Sequence, residues 1–195
     1  MTVTRRSILT IGAGFAFAGA GTAAYARYFE PGGSLLVQRY AFTPARWSDG
    51  LKLRVVCLAD LHCGSQHLSL DRLAEIVEIS HGLEPDLICL LGDYVAPDHR
   101  NVHQVTPQQW ASGLARLKAP LGVYAILGNH EFWDDLEVQR RRTGDPFGKL
   151  ALLDAGIPVF ENDVVRLVKD GRPVWLAGLG DQLAFRLGWT QKTGA

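Results

Sequence analysis

The chain has 195 residues, a length that suits one domain, and 47% of its residues are hydrophobic while 21% are charged. Lysine plus arginine equals aspartate plus glutamate at 20 each, so the formal net charge is zero. This balance argues against a nucleic-acid partner and against an acidic interaction tail. An odd number of cysteines on or beside apolar runs argues against a disulfide framework and favours buried, reduced thiols at Cys57, Cys63 and Cys89.

The first 30 residues differ from the rest and are predicted to be a targeting segment outside the fold. Residues 5 and 6 are both arginine, and residues 7–26 carry no charge. The segment 4–9 (TRRSIL) resembles the core of a twin-arginine export signal, and residues 24–26 (AYA) match a signal-peptidase site. We therefore expect the twin-arginine export machinery to deliver the chain to the periplasm or the outer face of the cytoplasmic membrane. The alternative is an uncleaved signal that tethers the chain to the membrane, because about 20 uncharged residues can just span a bilayer.

Apolar runs and turn residues predict alternating strands and helices in the rest of the chain. Residues 31–50 are expected to form a linker and a first strand over 34–42, and residues 51–195 the main domain. The elements predicted in that domain are strands over 51–59, 86–91 and 121–127, helices over 69–81, 106–117 and 149–155, and antiparallel strands over 159–161, 163–169 and 173–177, the last two joined by a turn at 170–171. This order predicts the α/β class, with a mixed sheet covered by helices.

Polar side chains follow three of the predicted strands at the point where each strand ends. Asp60 and His62 follow the first, Asp93 follows the second, and Asn129 and His130 follow the third. Because neighbouring strands of one sheet bring their ends together, we expect these side chains to cluster. Carboxylate, imidazole and amide ligands suit divalent manganese, iron or zinc, and the two oxygens of one carboxylate can bridge two ions. Glycines at positions 64, 92 and 128 permit sharp turns beside the cluster.

Three motifs in this order, Asp60-x-His62, Gly92-Asp93 and Gly128-Asn129-His130-Glu131, resemble those of the calcineurin-like metallophosphoesterases. The resemblance covers about residues 50–180, and the twin-arginine start is similar to that of an exported, phosphodiesterase-like branch. It implies an α/β fold of the α+β type, built as a four-layer αββα sandwich. It also implies a metal-dependent hydrolase of the phosphodiesterase or phosphatase type, acting on a small phosphate ester or a lipid.

The resemblance also implies a role for each candidate residue. Asp60 and His62 would bind one divalent ion, Asp93 would bridge it to a second, and Asn129 would bind the second ion. His130 would face the substrate, stabilise the phosphoryl charge and help to protonate the leaving oxygen. A water that bridges the two ions would attack phosphorus in line.

Four residues in or beside the motifs have two interpretations each. Glu131 is expected to support the turn and not to bind metal. Tyr94 and Trp133 flank the expected site, where they either line a substrate groove or pack in the core. Asn129 is alternatively a residue that adopts a left-handed turn conformation.

The positions of the histidines depart from the family pattern. In the family a further histidine and a final Gly-His-x-His segment complete the metal site, whereas none of the six histidines here follows position 130. We therefore expect a fold that is incomplete at its C-terminus, either by truncation of a longer enzyme or by decay of a shortened paralogue. The expected consequences are weak metal binding, little hydrolysis and an uncovered apolar sheet face. The alternative function is a non-catalytic exported protein that binds a phosphorylated or cell-envelope ligand.

Overall fold

A computed structural model of the chain describes residues 35–185, together with residues 19, 21–25 and 33. The chain divides into two units, Met1–Tyr40 and Ala41–Ala195. In the described part, no helix has both the length and the apolar character needed to cross a membrane. The paired arginines lie outside the described residues, so the export signal and the predicted bounds at residues 30 and 50 stay predictions.

The strand predicted over residues 34–42 is wrong for the part that the structure describes. Residues 35–42 form no strand, and residue 34 lies outside the described residues. Leu36, Tyr40 and Phe42 are 85%, 83% and 84% exposed. An apolar run becomes a strand only where a partner strand and a covering layer bury it, and this run remains open to solvent.

The second unit alternates strands and helices and then forms a hairpin. Its elements are β1 (Val55–Leu58), α1 (Leu70–Gly82), β2 (Leu87–Leu90), a 3₁₀ turn (Asp98–Arg100), α2 (Pro107–Leu114), β3 (Val123–Ala125), α3 (Asn129–Trp133), α4 (Leu136–Arg141), α5 (Phe147–Asp154), β4 (Asp163–Lys169) and β5 (Arg172–Gly178). The predicted α/β class is confirmed. Two short helices, α3 and α4, and the 3₁₀ turn were not predicted.

Strands β1, β2 and β3 form one parallel sheet in that order. The register places Val56 beside Ile88 and Leu90 beside Ala125. Parallel neighbours need crossover connections, which α1 and α2 supply. All three strands therefore point in one direction, and the segments that follow them meet at one end of the sheet.

Both crossover helices begin where the sequence predicts. The Ser69 hydroxyl accepts a hydrogen bond from the Arg72 amide at the start of α1. At the start of α2, Thr106 and Gln109 each accept a hydrogen bond from the other's backbone amide, and proline occupies the first helical position. These caps satisfy amides that the first helical turn would otherwise leave unpaired.

The core lies where the helices meet the sheet. Ile88 and Leu90 on β2 are completely buried, as are Val77 on α1 and Leu114 on α2. Helix α1 packs against α2, and α2 packs against α5. Full burial of each such side chain contributes about 1.5–3 kcal/mol. This packing makes β2 a rigid base for the loop that follows it.

The hairpin of β4 and β5 forms as predicted, with Asp170 and Gly171 in its turn at φ values of 52° and 73°. The strand predicted over residues 159–161 is reduced to one parallel bridge between Val159 and Ala125. One face of the hairpin exposes Val164, Val168 and Trp175 by 53%, 48% and 65%. An uncovered apolar sheet face was expected, and the described residues contain one.

Candidate metal centre

The carboxyl ends of β1 and β2 bring three of the four predicted metal ligands together. Asp60 and His62 follow β1, and Asp93 follows β2. One ligand atom from each residue lies within 4.8 Å of the others. Two carboxylates and one imidazole form a donor set that manganese, iron and zinc all accept. The chain therefore contains a candidate metal site at the predicted place.

The loops that carry these ligands run beside each other beyond the ends of the strands. The amide of His62 donates to the carbonyl of Asp93 at 2.9 Å, and the amide of Cys63 donates to the carbonyl of Tyr94 at 2.7 Å. These hydrogen bonds extend the pairing of β1 and β2 past Leu58 and Leu90. The separation of the two loops is therefore set by the sheet.

All three candidate ligands have left-handed backbone conformations. Their φ values are 53° for Asp60, 43° for His62 and 56° for Asp93. A residue with a Cβ atom in such a conformation costs on the order of 1–3 kcal/mol, and such residues concentrate at functional sites. The surrounding hydrogen bonds must therefore hold these turns against their intrinsic preference.

A hydrogen bond fixes the orientation of the His62 ring. Its Nδ1 lies 2.8 Å from the carbonyl oxygen of Val95. A carbonyl oxygen only accepts, so Nδ1 carries the proton and Nε2 of the neutral ring keeps its lone pair. Metal-binding histidines commonly have this arrangement, in which the ring nitrogen opposite the metal donates to a fixed acceptor.

Glu131 connects the loop after β2 with the start of α3. Its side chain is completely buried. One carboxylate oxygen accepts from the amides of Gly128 and Asp93 at 2.8 and 2.9 Å, and the other accepts from those of Tyr94 and Val95 at 2.7 and 3.3 Å. Burial raises the pKa of Glu131, and the amide donors oppose that rise. The prediction that Glu131 supports the turn is confirmed.

Two glycines make this close approach possible, for different reasons. Gly92 has a φ of 94°, which a residue with a Cβ atom rarely adopts, and a Cβ there would also strike the backbone of Gly128. Gly128 has an ordinary φ of −97°. A Cβ at Gly128 would instead collide with the Asp93 carboxylate. The prediction of a sharp turn is thus confirmed at Gly92, whereas Gly128 is needed for space.

His130 lies beside the candidate ligands and is held by a carboxylate at the C-terminal end of its helix. Its Nδ1 is 2.8 Å from an oxygen of Asp134, and both side chains are about one-fifth exposed, at 22% and 20%. Its ring centre is 4.9 Å from that of His62, in an edge-to-face arrangement. The amide of His130 donates to Asp93 at 2.9 Å, which ties α3 to a candidate ligand. Sequence reasoning missed Asp134, although its spacing of four residues from His130 places both on one face of a helix.

Asn129 is the first residue of α3 and is half-buried. Both of its neighbours in the chain contact Asp93. Gly128 approaches the Asp93 carboxylate closely, and the amide of His130 donates a hydrogen bond to it. Its φ is not positive, so the alternative of a left-handed turn residue is wrong. Its role as a metal ligand stays a prediction.

Of the two aromatic residues expected to line a substrate groove, Tyr94 belongs to the core. It is completely buried and stacks on Trp110 at 5.3 Å between ring centres. Its hydroxyl accepts from the Gly92 amide and donates to the carbonyl of Ile126. Substrate therefore cannot reach it, and core packing is the correct alternative.

Trp133 is half-buried and lies beside His130, with the ring centres 5.7 Å apart. Its indole nitrogen donates to the carbonyl of Leu183 at 2.7 Å. Its place next to the candidate ligands is compatible with a groove, so its substrate-lining role stays a prediction.

Comparison with known proteins identifies the class to which this fold and site belong. The profile of the calcineurin-like phosphoesterases matches residues 53–186. The chain is a member of the calcineurin-like phosphoesterase family, and the resemblance seen in the sequence is confirmed.

Three curated relatives illustrate the range of that family. A Caenorhabditis elegans protein named as a metallophosphoesterase is 33% identical over 92% of this chain and 33% of its own length. The phosphodiesterase YaeI of Escherichia coli is 29% identical over 80% of this chain and 53% of its own. The UDP-2,3-diacylglucosamine pyrophosphatase LpxG of Chlamydia trachomatis is 32% identical over 55% of this chain and 31% of its own. The chain thus spans about one third to one half of these relatives, and no solved structure matches it significantly.

Replacing Glu131 with glutamine tests its structural role. Glu131→Gln places an amide group against backbone amides that all donate, so we expect the free energy of unfolding to fall by about 2–4 kcal/mol. Urea denaturation followed by circular dichroism measures the change. The matched control is Glu78→Gln, an exposed carboxylate paired with Arg116 on the surface, which we expect to alter stability by less than about 0.5 kcal/mol. Equal stability of Glu131→Gln and the control would contradict the proposed role.

Proposed function

We propose that this chain contributes the first part of a metal centre that hydrolyses phosphate esters. The observation that carries the proposal is the convergence of Asp60, His62 and Asp93 within 4.8 Å at the carboxyl ends of the parallel strands. Membership of the calcineurin-like phosphoesterases supports the same chemistry.

In this proposal Asp60 and His62 would hold one divalent ion, Asp60 with its carboxylate and His62 with Nε2, the ring nitrogen that does not bond Val95. Asp93 lies between the loop after β1 and the start of α3, and its carboxylate would be the ligand that two ions share. Asn129 would offer its amide oxygen to the second ion. Manganese, iron and zinc all fit such donors. Divalent ions bound there supply Lewis acidity that activates water and neutralises phosphate charge.

We assign His130 to the substrate and not to a metal. The carboxylate of Asp134 accepts a hydrogen bond from Nδ1–H of His130, which leaves Nε2 of His130 as the atom available to a ligand. With the ring oriented in this way, His130 can direct Nε2 at the substrate and transfer a proton to a leaving oxygen. Asp134 therefore acts through His130, as a positioning residue.

The names of the relatives support the substrate class that we propose. One relative is named as a phosphodiesterase and another as a pyrophosphatase of a diacylated nucleotide sugar. We propose a small phosphate ester or a phosphorylated lipid. The alternative is a non-catalytic protein that binds a phosphorylated or cell-envelope ligand.

Metal binding is the first test of the proposal. We expect Mn²⁺ to bind the chain weakly, and Asp60→Asn and Asp93→Asn each to reduce affinity at least tenfold, since each removes an anionic ligand. Calorimetric titration into the millimolar range measures affinity, and Asp154→Asn, an exposed carboxylate on α5, is the matched control. Unchanged Mn²⁺ affinity in both ligand variants would refute the site.

Activity is measured in the same samples with a chromogenic phosphodiester. We expect little turnover, and we expect it to disappear on chelation of the metal. Turnover that matches longer relatives would contradict the predicted weakness of the site. Metal binding without any turnover would favour the non-catalytic alternative.

The role of Asp134 is tested by two measurements. We expect Asp134→Asn to lower turnover about tenfold with Mn²⁺ affinity unchanged, because the His130 ring loses its anionic partner. In a double variant that combines Asp134→Asn with His130→Ala, we expect turnover to be no lower than in His130→Ala alone. A further loss of turnover would show that Asp134 acts independently of His130. The ¹⁵N resonances of His130 give a readout that needs no activity: the Nδ1–H tautomer should dominate in the unmodified chain and lose that dominance in Asp134→Asn.

Export is a separate proposal that rests on the paired arginines at positions 5 and 6. Replacement of both by lysine keeps the charge but removes the pattern that the machinery recognises. We expect the variant to stay in the cytoplasm of a bacterial host, whereas the unmodified chain reaches the envelope fraction. Cell fractionation with immunoblotting measures this. Equal export of both chains would contradict a twin-arginine signal.

A further inference from the structure

The cysteines divide into one isolated thiol and one adjacent pair. Cys63 is buried, with 2% of its surface exposed, and burial raises its pKa to about 12. Cys57 lies on β1 and Cys89 on β2, and the parallel register places them directly beside each other. All three thiols are free, as the sequence predicts, and Cys63 is the one that stands apart from the pair.

The register of the sheet permits a bond between Cys57 and Cys89. Neighbouring strands lie about 4.8 Å apart, which falls within the Cα separation of about 4.4–6.8 Å that disulfides adopt. Side chains at paired positions point to the same face of the sheet. Cys57 is exposed and Cys89 is half-buried, so a reagent in solvent reaches the pair. The expectation of buried thiols is thus wrong for Cys57.

The pair also has unequal acidity, which suits sequential reaction. The pKa of Cys57 is lowered to about 7 because the thiol of Cys89 donates a hydrogen bond to its thiolate, although partial burial opposes the shift. The pKa of Cys89 is raised, chiefly by the same hydrogen bond and by burial. A thiolate is the nucleophile of thiol chemistry, so Cys57 is the attacking group.

We propose that Cys57 and Cys89 form a redox-reactive dithiol that closes to a disulfide between β1 and β2. The oxidant is a small-molecule disulfide. The Cys57 thiolate attacks one of its sulfurs, which forms a mixed disulfide and releases one thiol. Cys89, after losing its proton, attacks the Cys57 sulfur, which closes the internal bond and releases the second thiol. Two protein thiols lose two electrons in total, and one external disulfide is reduced to two thiols.

The bond would join the two strands immediately before the candidate metal ligands. Asp60 follows Cys57 by three residues, and Asp93 follows Cys89 by four. The crosslink would therefore fix the spacing of β1 and β2 covalently, in addition to their hydrogen bonds. This modification is independent of the proposed hydrolysis, because neither cysteine belongs to the candidate ligand set.

Thiol counting on the whole chain tests the proposal. The folded protein is equilibrated with oxidised glutathione, its free thiols are alkylated in denaturant, and its peptides are mapped by mass spectrometry. We expect three alkylated cysteines in the reduced chain and one, Cys63, in the oxidised monomer, with Cys57 and Cys89 in one crosslinked peptide. Alkylation of all three cysteines after oxidation, or a crosslink that involves Cys63, would overturn it.

Single variants separate internal closure from simple thiol reactivity. In Cys89→Ser we expect a stable glutathione adduct on Cys57, because the second attacking thiol is gone. The matched control, Cys63→Ser, should still close the internal bond. A stable glutathione adduct on Cys57 of the unmodified chain, in place of the crosslink, would show that the two thiols do not react with each other.

Discussion

The buried carboxylate of Glu131 is the interaction on which the geometry of the site depends. Its two oxygens accept from four backbone amides, three in the loop after β2 and one at the start of α3. A carboxylate removed from water is costly unless such donors satisfy it. Because both segments bond to the same group, neither can move without leaving a buried charge unpaired. Asp93, which also accepts from the amide of His130, is thereby held between them.

This arrangement explains how three left-handed residues persist beside one another. Asp60, His62 and Asp93 each adopt a positive φ. The extended pairing of the loops after β1 and β2 restrains the first two, and Glu131 restrains the third. The strained turns are thus held by the sheet below them and by α3 beside them. The parallel sheet sets where the loops begin, and the hydrogen bonds around it set where the side chains point.

The sequence predicts the parts of this structure that local patterns determine. The cap residues Ser69 and Thr106 and the turn at Asp170 depend on neighbours a few positions away, and all three are where the patterns indicate. The ends of β1, β2 and β3 were predictable because apolar runs stop there. Features that depend on distant contacts were missed or left open. Residues 35–42 lack the covering layer that an apolar strand needs, and the choice between groove and core for Tyr94 depends on its contact with Trp110. The need for glycine at position 128 comes from Asp93, which no local pattern shows.

The same contacts have a consequence for metal binding. The loops are held by hydrogen bonds within the protein, so the site does not depend on a cation to assemble, unlike small domains that fold only around their metal. It is nevertheless unfavourable electrostatically, because Asp60 and Asp93 present oxygens within 4.8 Å of each other while the carboxylate of Glu131 bonds the amide of Asp93. A divalent cation would offset this repulsion without a rearrangement of the backbone, because the hydrogen bonds of the loops already hold the carboxylates in place.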